Sequence, residues 1–123
     1  MAVRILIVDD EQQLLSLLKR YLERLGYEVE LAATAEEALA CFESDPLRYA
    51  CVLTDLALPG MNGEQLLERL RALNPRLPAL ISSGYPYEPK PGPSKARTGF
   101  LQKPYLPQML VEAVERILGK PAK

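Results

Sequence analysis

The chain has 123 residues, of which 48% are hydrophobic and 25% are charged, and its formal net charge at pH 7 is -1. These values are typical of one globular domain and exclude a disordered, collagen-like or disulfide-scaffold protein, and the balanced charge offers no basic surface for nucleic acid or an anionic membrane. Because histidine is absent, the chain carries no imidazole base, no histidine-ligated zinc and no phosphohistidine of its own.

The first apolar run and the two cysteines indicate the cellular compartment. Residues 5–8 form an apolar run that ends in two acids and is too short for a membrane span or a signal peptide. Cys41 and Cys51 lie in apolar stretches, which favours small buried thiols in a reducing environment over a disulfide or a metal site. We therefore expect a soluble, cytoplasmic protein.

Short apolar runs bounded by acids, glycines or prolines predict five β-strands. They cover residues 3–8, 27–31, 50–54, 78–81 and 99–102. The first and third runs are almost continuously apolar, which is typical of strands in a parallel sheet that is covered on both faces.

Apolar residues at three- and four-residue spacing predict four amphipathic helices. The first ends at Gly26, a residue suited to the C-terminal stop of a helix. Thr34 and Glu37 predict a capping box at the start of the second, with the Thr34 hydroxyl on the Glu37 amide. The third begins after residues 62–63 and the last near Pro107, a good first-turn residue. The residues predicted to face inward are Leu14, Leu15, Leu18, Leu22, Leu25, Ala38, Leu39, Phe42, Leu66, Leu67, Leu70, Leu73, Leu110, Val114, Ile117 and Leu118.

Strands that alternate with helices at this spacing predict βαβ units, and therefore a parallel sheet with helices on both faces. Five such strands indicate an α/β, flavodoxin-like, doubly wound fold with the strand order 2-1-3-4-5. We expect one domain over residues 1–119 and a short tail over residues 120–123. In a sheet of this order, ligands bind at the carboxyl ends of the strands, between the first and the third.

Three of the four aspartates fall at that position. Asp9 and Asp10 follow the first strand and Asp55 follows the third, whereas Asp45 terminates a helix. Three convergent carboxylates repel one another unless a cation lies among them, and hard oxygen ligands suit Mg²⁺. The alternative for each single residue is structural: Asp10 could cap the following helix, and Asp9 could be a solvated loop acid.

Further residues are expected at the same edge of the sheet. Lys103 directly follows the fifth strand, and its ammonium would leave the three acids with two net negative charges, which one divalent cation balances. Ser83 ends the fourth strand and adds a hydroxyl group, and Phe100 lies in the fifth strand as a core or half-buried aromatic. The Lys103–Pro104 bond is a candidate cis peptide, since X-Pro bonds tolerate that form. Taken singly, a lysine before a proline is most often a surface charge.

The order of these residues along the chain resembles the receiver domains of bacterial two-component response regulators, of the chemotaxis-regulator type, over essentially the whole sequence. Residues 55–63, Asp-Leu-Ala-Leu-Pro-Gly-Met-Asn-Gly, resemble the family's loop after the phosphorylated aspartate, with a leucine where methionine is common. Residues 99–105, Gly-Phe-Leu-Gln-Lys-Pro-Tyr, resemble its last-strand motif. The residues that carry the resemblance are Asp9, Asp10, Asp55, Ser83 and Lys103.

The resemblance implies a phosphoacceptor function. Asp55 would take a phosphoryl group from a phosphohistidine on a sensor histidine kinase or a histidine phosphotransfer protein. Lys103 and Ser83 would contact the phosphoryl oxygens. The ligands implied for Mg²⁺ are Asp9, Asp10, Asp55 and the carbonyl of Ala57.

The resemblance also implies a switch and two tuning positions. Ser83 would move toward the phosphoryl group, and Phe100 would fill the space that it leaves. Ala57 and Tyr85 would set the rate of acyl-phosphate hydrolysis. Such a domain is a signalling module rather than an enzyme, either free-standing or part of a hybrid sensor kinase.

The sequence departs from the family between the fourth and fifth predicted strands. Prolines stand at positions 86, 89, 91 and 93, where each removes an amide donor and restricts the preceding residue. No regular helix is expected up to residue 93, and at most one turn over residues 94–97, so the family's fourth helix is lost or replaced by a Pro-rich loop. Two interpretations stay open. The loop covers the sheet with Tyr85 and Tyr87, or it rebuilds the output face for a different partner; the residues that it would offer are Lys90, Lys95 and Arg97.

Three other functions are considered. A degenerate receiver would act as a phosphorylation-independent binding module. A Mg²⁺-dependent phosphatase with an aspartate nucleophile is disfavoured, because that class places a second aspartate two residues after the nucleophile on the first strand, whereas Asp9 and Asp10 are adjacent. A flavin-binding module is disfavoured because no Ser/Thr/Gly-rich phosphate loop follows the first strand.

Overall fold

The computed structural model describes residues 3–87 and 97–119. Within these ranges, five strands and four helices alternate along the chain up to the fourth strand. The elements are β1 (Arg4–Val8), α1 (Gln12–Arg24), β2 (Glu28–Ala32), α2 (Ala35–Ser44), β3 (Cys51–Asp55), α3 (Gly63–Leu73), β4 (Ala79–Ser83), β5 (Thr98–Gln102) and α4 (Pro107–Ile117).

All five strands form one parallel sheet in the order β2-β1-β3-β4-β5, which confirms the predicted flavodoxin-like arrangement. The register aligns the carboxyl ends of the strands. Val8 pairs with Thr54, Asp55 with Ser82, and Ser83 with Gln102. Residues that follow β1, β3, β4 and β5 therefore meet at one edge of the sheet, as the strand order requires.

The sheet is covered on both faces because successive strand residues point to opposite sides. Leu6 and Val8 belong to a core cluster with residues of α2 and α3, whereas Ile5 and Ile7 belong to a second cluster with residues of α1 and α4. Each fully buried leucine or isoleucine of this kind stabilises the fold by about 1.5–3 kcal/mol relative to exposure. The sheet therefore lies between two apolar clusters, one on each of its faces.

Helix ends follow the predicted capping residues closely. Thr34 Oγ1 accepts from the Glu37 amide at 3.1 Å at the start of α2, and the Glu37 carboxylate accepts from the Ala33 amide at 2.7 Å. After α1, Gly26 has a φ of 97°, a conformation that glycine adopts without steric cost. Local sequence thus determines where these helices begin and end.

Two of the predicted inward-facing leucines are exposed. Leu25 is 54% and Leu73 is 42% exposed. Leu25 follows the last residue of α1, and Leu73 is the last residue of α3. Both continue the apolar spacing past the part of the helix that lies over the sheet, so the prediction for these two positions was wrong.

The side chain of Arg71 in α3 forms hydrogen bonds at the start of β5, an edge strand of the sheet. Its guanidinium donates twice to the carbonyl of Leu77, at 3.1 and 2.9 Å. It also donates to the carbonyl of Arg97 at 3.0 Å and to Thr98 Oγ1 at 2.8 Å. Burial first, and then the charge of Arg97, lower the pKa of Arg71 from its ordinary value. One side chain therefore joins α3, the approach to β4 and the start of β5.

The segment between β4 and β5 is described only at its two ends. Residues 84–87 contain no α-helix, while Pro89, Pro91, Pro93, Lys90 and Lys95 lie in residues 88–96, outside the described part of the chain. Tyr87 is half-buried against the core, but Tyr85 is 82% exposed. Of the two interpretations of this loop, the one in which both tyrosines cover the sheet is therefore wrong for Tyr85. The predicted tail, residues 120–123, is also outside the described range.

Both cysteines are free thiols. Cys51 is fully buried in β3, and burial raises the pKa of its thiol to about 12. Cys41 is only partly buried, so the expectation of burial holds fully for Cys51 alone. Among the described helices, none combines the length and the apolarity that a membrane-spanning segment needs.

Candidate functional site

The three predicted acids lie together at the carboxyl edge of the sheet. One carboxylate oxygen from each of Asp9, Asp10 and Asp55 lies within 4.8 Å of the others. Asp9 is 3% and Asp55 is 8% exposed, whereas Asp10 faces solvent. The cluster therefore has two buried members and one open side.

Asp9 is fixed by the backbone on both sides of it. Its N–H donates to the Ala32 carbonyl at 3.1 Å, and its Oδ1 accepts from the Glu11 amide at 3.1 Å. The alternative of a solvated loop acid is therefore wrong. The N-cap residue of α1 is Glu11, so the alternative that placed Asp10 at that position is also wrong.

Asp55 is the last residue of β3, and the loop that follows it is tightly constrained. Its Oδ1 accepts from the amide of the exposed Ala57 at 3.3 Å. At the far end of the loop, the Gly63 amide donates to the Leu56 carbonyl at 2.8 Å. A Cβ on Gly63 would lie 2.6 Å from the Asp55 carbonyl oxygen, so only glycine permits this approach.

Lys103 extends its ammonium into the acidic cluster. Nζ lies 3.0 Å from Asp9 Oδ2, 3.1 Å from Asp55 Oδ2 and 3.4 Å from Glu11 Oε1. Burial by itself lowers the pKa of Lys103, but the hydrogen bonds to Asp9 and Asp55 and their charges outweigh it and hold that pKa above its ordinary value. The ammonium therefore stays charged beside Asp55 at neutral pH. The Lys103–Pro104 peptide bond is cis.

Ser83 and Phe100 occupy neighbouring strands near this edge. Ser83 is buried at the end of β4, and its Oγ accepts from the amide of Tyr85 at 3.1 Å. Phe100 is half-buried in β5 opposite Ile81. Its ring lies 6.2 Å from that of Tyr87, with a tilt of 50° between the planes.

Sequence reasoning missed three residues that belong to this region. Glu11 is a third carboxylate on Lys103, and its position directly after Asp10 was a usable signal. Tyr105 lies near the cluster, where burial first and the charge of Asp9 second raise the pKa of its phenol to about 12. Glu64 accepts a hydrogen bond from the Tyr87 hydroxyl at 2.7 Å, and no periodic pattern in the sequence predicts that pair.

A cleft of about 400 Å³ opens beside Lys103. It is lined by Glu11, Leu14, Gly84, Lys103, Pro104 and Tyr105. The cleft therefore lies between the start of α1 and the residues that follow β4 and β5.

The donor atoms of the cluster fit a hard divalent cation. All are carboxylate oxygens, which Mg²⁺ prefers over softer ligands, and the exposed side at Asp10 leaves room for the waters that Mg²⁺ retains. Among the described side chains, Lys103 supplies the positive charge that partly offsets Asp9 and Asp55.

The whole arrangement matches one family of proteins. The family model for the response regulator receiver domain matches residues 5–115. The chain belongs to the response regulator receiver domain family. Receiver domains are typically signalling modules rather than enzymes.

Similar proteins extend this result. The transcriptional regulatory protein SrrA of Staphylococcus aureus (strain NCTC 8325 / PS 47) is 34% identical over 122 residues, which are 98% of this chain and 49% of SrrA. The receiver chain thus spans about half the length of the curated relatives that it matches.

Solved receiver structures superpose over nearly the full chain. A CheY-like response regulator receiver domain protein from Methanospirillum hungatei JF-1 has 34% identity and a TM-score of 0.81, covering 97% of this chain and 95% of that one. The response regulator TrrA from Thermotoga maritima, in complex with Mg²⁺-BeF, has 30% identity and a TM-score of 0.79, covering 94% of this chain and 98% of that one.

Proposed function

We propose that this receiver domain accepts a phosphoryl group on Asp55 from a phosphohistidine of a sensor histidine kinase or a histidine phosphotransfer protein. The observation that carries the proposal is the position of the Lys103 ammonium, which bridges the buried carboxylates of Asp9 and Asp55 beside a third acid. A cation fixed in this way suits phosphoryl transfer, which depends mainly on positioning and on neutralising charge.

The transfer is a displacement at phosphorus. One carboxylate oxygen of Asp55 forms the new P–O bond while the P–N bond to the donor imidazole breaks, and the electron pair leaves with the imidazole. The product is an acyl phosphate that carries about two negative charges. Lys103 pairs with one phosphoryl oxygen throughout, since its raised pKa keeps it protonated.

Ser83 supplies the second contact to the phosphoryl group. In the unmodified site its Oγ accepts from the Tyr85 amide, so its own proton is free to be donated to a phosphoryl oxygen. When Ser83 moves toward the phosphoryl oxygen, it vacates the space into which Phe100 turns. Ser83 and Phe100 together form the switch. Ala57 and Tyr85 follow Asp55 and Ser83 by two residues each, and they tune hydrolysis of the acyl phosphate.

Asp9, Asp10, Asp55 and the Ala57 carbonyl would hold Mg²⁺. The metal supplies positive charge that offsets the phosphoryl oxygens. The hard donor set and the TrrA complex with Mg²⁺-BeF support this assignment. We also propose that the protein acts in the cytoplasm, where two-component phosphorelays operate, and that residues 1–119 form the receiver unit.

Intact-mass measurement after incubation with acetyl phosphate and Mg²⁺ tests the proposal. We expect one phosphoryl adduct on the wild-type chain and none on Asp55→Asn or in the presence of a chelator. Asp45→Asn is the matched control, because Asp45 is an exposed C-cap residue of α2, and it should form the wild-type adduct. Folded wild-type protein without an adduct would overturn the proposal and favour a phosphorylation-independent binding module.

A further inference from the structure

Tyr87 makes two contacts that connect the segment after β4 with the rest of the domain. Its hydroxyl donates to Glu64 Oε2 at 2.7 Å, and its ring lies 6.2 Å from the ring of Phe100. Burial first, and then the bond to Glu64, raise the pKa of the Tyr87 phenol, so it remains a donor at neutral pH. The side chain is therefore held at both its polar and its apolar part.

Glu64, the partner of the Tyr87 hydroxyl, directly follows the loop that runs from Asp55 to Gly63. Glu64 lies in the first turn of α3, directly after Gly63. Gly63 approaches the Asp55 carbonyl so closely that a Cβ there would lie 2.6 Å from that oxygen. The capping box at Asn62 and Gln65, with bonds of 2.8 and 3.0 Å, fixes the same turn. Glu64 therefore belongs to a capped turn whose first residue, Gly63, packs against the backbone of Asp55.

Tyr87 itself is connected to Ser83 through a short stretch of chain. Tyr87 lies four residues after Ser83, and the Tyr85 amide between them donates to Ser83 Oγ. We expect a movement of Ser83 toward Asp55 to displace this short segment and so to alter both contacts of Tyr87. Phe100 has no hydroxyl group, so no hydrogen bond from its own ring fixes that ring in place. Tyr87, which contacts Phe100, does have a hydroxyl group, and that group bonds to Glu64.

We propose that Tyr87 is a positioning residue of the phosphoacceptor site, whose bond to Glu64 and contact with Phe100 hold residues 83–87 in the unphosphorylated arrangement. The inference rests on the proposed function of Asp55. In this arrangement Lys103 Nζ lies 3.1 Å from Asp55 Oδ2, while Ser83 Oγ accepts from the Tyr85 amide. Loss of the Tyr87 hydroxyl releases Ser83 and shifts the population toward the arrangement that contacts a phosphoryl group.

Beryllofluoride with Mg²⁺, a mimic of the phosphoryl group, tests this without a kinase. The wild-type chain has two phenylalanines, Phe42 and Phe100, so phenylalanine-selective labelling gives two assignable sets of NMR signals. Each tyrosine-to-phenylalanine variant adds one further set, which is identified because the wild type lacks it. We expect Tyr87→Phe to shift the Phe100 signal of the free protein toward its bound position and to tighten beryllofluoride binding by roughly three- to tenfold. Glu64→Gln should change both in the same direction, and the double variant should add little to Tyr87→Phe.

Tyr49→Phe is the matched control. The Tyr49 hydroxyl donates to Glu30 Oε1 at 2.6 Å, the same kind of bond, just before the start of β3 and away from the site. The Tyr49 ring stacks on Phe42 at 5.6 Å, so this variant should shift the Phe42 signal and leave Phe100 and beryllofluoride affinity unchanged.

Three outcomes would overturn the inference. If Tyr87→Phe leaves Phe100 and the affinity as in the wild type, Tyr87 has no positioning role. If Tyr49→Phe tightens binding equally, the effect is general loosening of the fold. If the wild type binds no beryllofluoride and forms no adduct on Asp55, the proposed function itself fails, and the inference fails with it.

Discussion

The backbone N–H of Lys103 donates a hydrogen bond to the carbonyl oxygen of Ser83 at 2.8 Å. This bond continues the β4–β5 ladder one step beyond the pair of Ser83 with Gln102. Ser83, which supplies the hydroxyl group of the site, and Lys103, which supplies its ammonium group, are therefore joined by a backbone hydrogen bond. No side chain intervenes between the backbones of these two residues.

Replacing Lys103 with methionine should destabilise the protein in the absence of divalent cations. The variant keeps an apolar stem but leaves the buried carboxylates of Asp9 and Asp55 without their shared cation. We expect the free energy of unfolding in urea to fall by about 1–3 kcal/mol. The double variant Lys103→Met/Asp55→Asn should lose less, because one of the repelling charges is also gone. Equal stability of Lys103→Met and wild type would show that these ion pairs contribute nothing.

Asp10→Asn should separate metal binding from the lysine contacts. Among the described residues, Lys103 is paired with Asp9, Asp55 and Glu11 rather than with Asp10. Mg²⁺ should raise the melting temperature of the wild type, since a ligand that binds only the folded state stabilises it. In Asp10→Asn the same rise should require at least about tenfold more Mg²⁺, because one of three carboxylate ligands is lost. An unchanged Mg²⁺ titration would remove Asp10 from the ligand set.

Stability should fall steeply above pH 10. The pKa of Tyr105 is raised by burial from 10.0 to about 12, and the pKa of Lys103 is also raised. A folded-state pKa above the unfolded value contributes stability that is complete below the unfolded pKa and is lost as pH rises through the folded one. For Tyr105 that interval is pH 10.0 to about 12.

Urea unfolding between about pH 8 and about pH 11.5 measures this loss, and Tyr105→Phe should show a shallower decline above pH 10. Parallel slopes for the two proteins would mean that Tyr105 ionises in the folded state as it does in the unfolded chain. Tyrosine absorbance in the ultraviolet gives an independent readout of phenolate formation under the same conditions.

Gly63→Ala should damage both stability and phosphorylation. The new Cβ would lie 2.6 Å from the Asp55 carbonyl oxygen and 3.0 Å from the Cα of Leu56, and both contacts are with backbone that cannot rotate away. We expect a loss of about 1–3 kcal/mol in unfolding free energy together with a lower rate of adduct formation by acetyl phosphate. Gly84→Ala is the matched control, since a Cβ on Gly84 would meet no atom within 4 Å and the φ of Gly84 is not positive. Equal effects from the two alanines would contradict the crowding argument.

The fold and the acidic cluster could be predicted because both follow from regular patterns. Apolar runs and three- to four-residue spacing define the elements, and parallel strands bring their carboxyl ends to one edge. Asp9, Asp55 and Lys103 therefore had to approach one another once the strand order was known. The same periodicity misled at Leu25 and Leu73, because apolar spacing carries no information about where a helix leaves the sheet.

The contacts between α3 and the segment after β4 could not be predicted in this way. The pair of Tyr87 with Glu64 joins residues 23 positions apart, and the bond from Arg71 to Thr98 spans 27. Such pairs depend on side-chain direction in the folded state, and hydrophobic periodicity does not encode it. The crowding at Gly63 was hidden for the same reason, since a glycine at the start of a helix is ordinary by itself.

The four hydrogen bonds of Arg71 also bear on how the domain tolerates change. They join the chain just before β4 to the residues at the start of β5, so Arg71 holds the beginnings of these two parallel strands together. Closing a longer connection costs little extra entropy once its ends are fixed. We therefore expect insertions in the connection from β4 to β5 to cost little stability, because the Arg71 guanidinium holds the start of β5 independently of that connection.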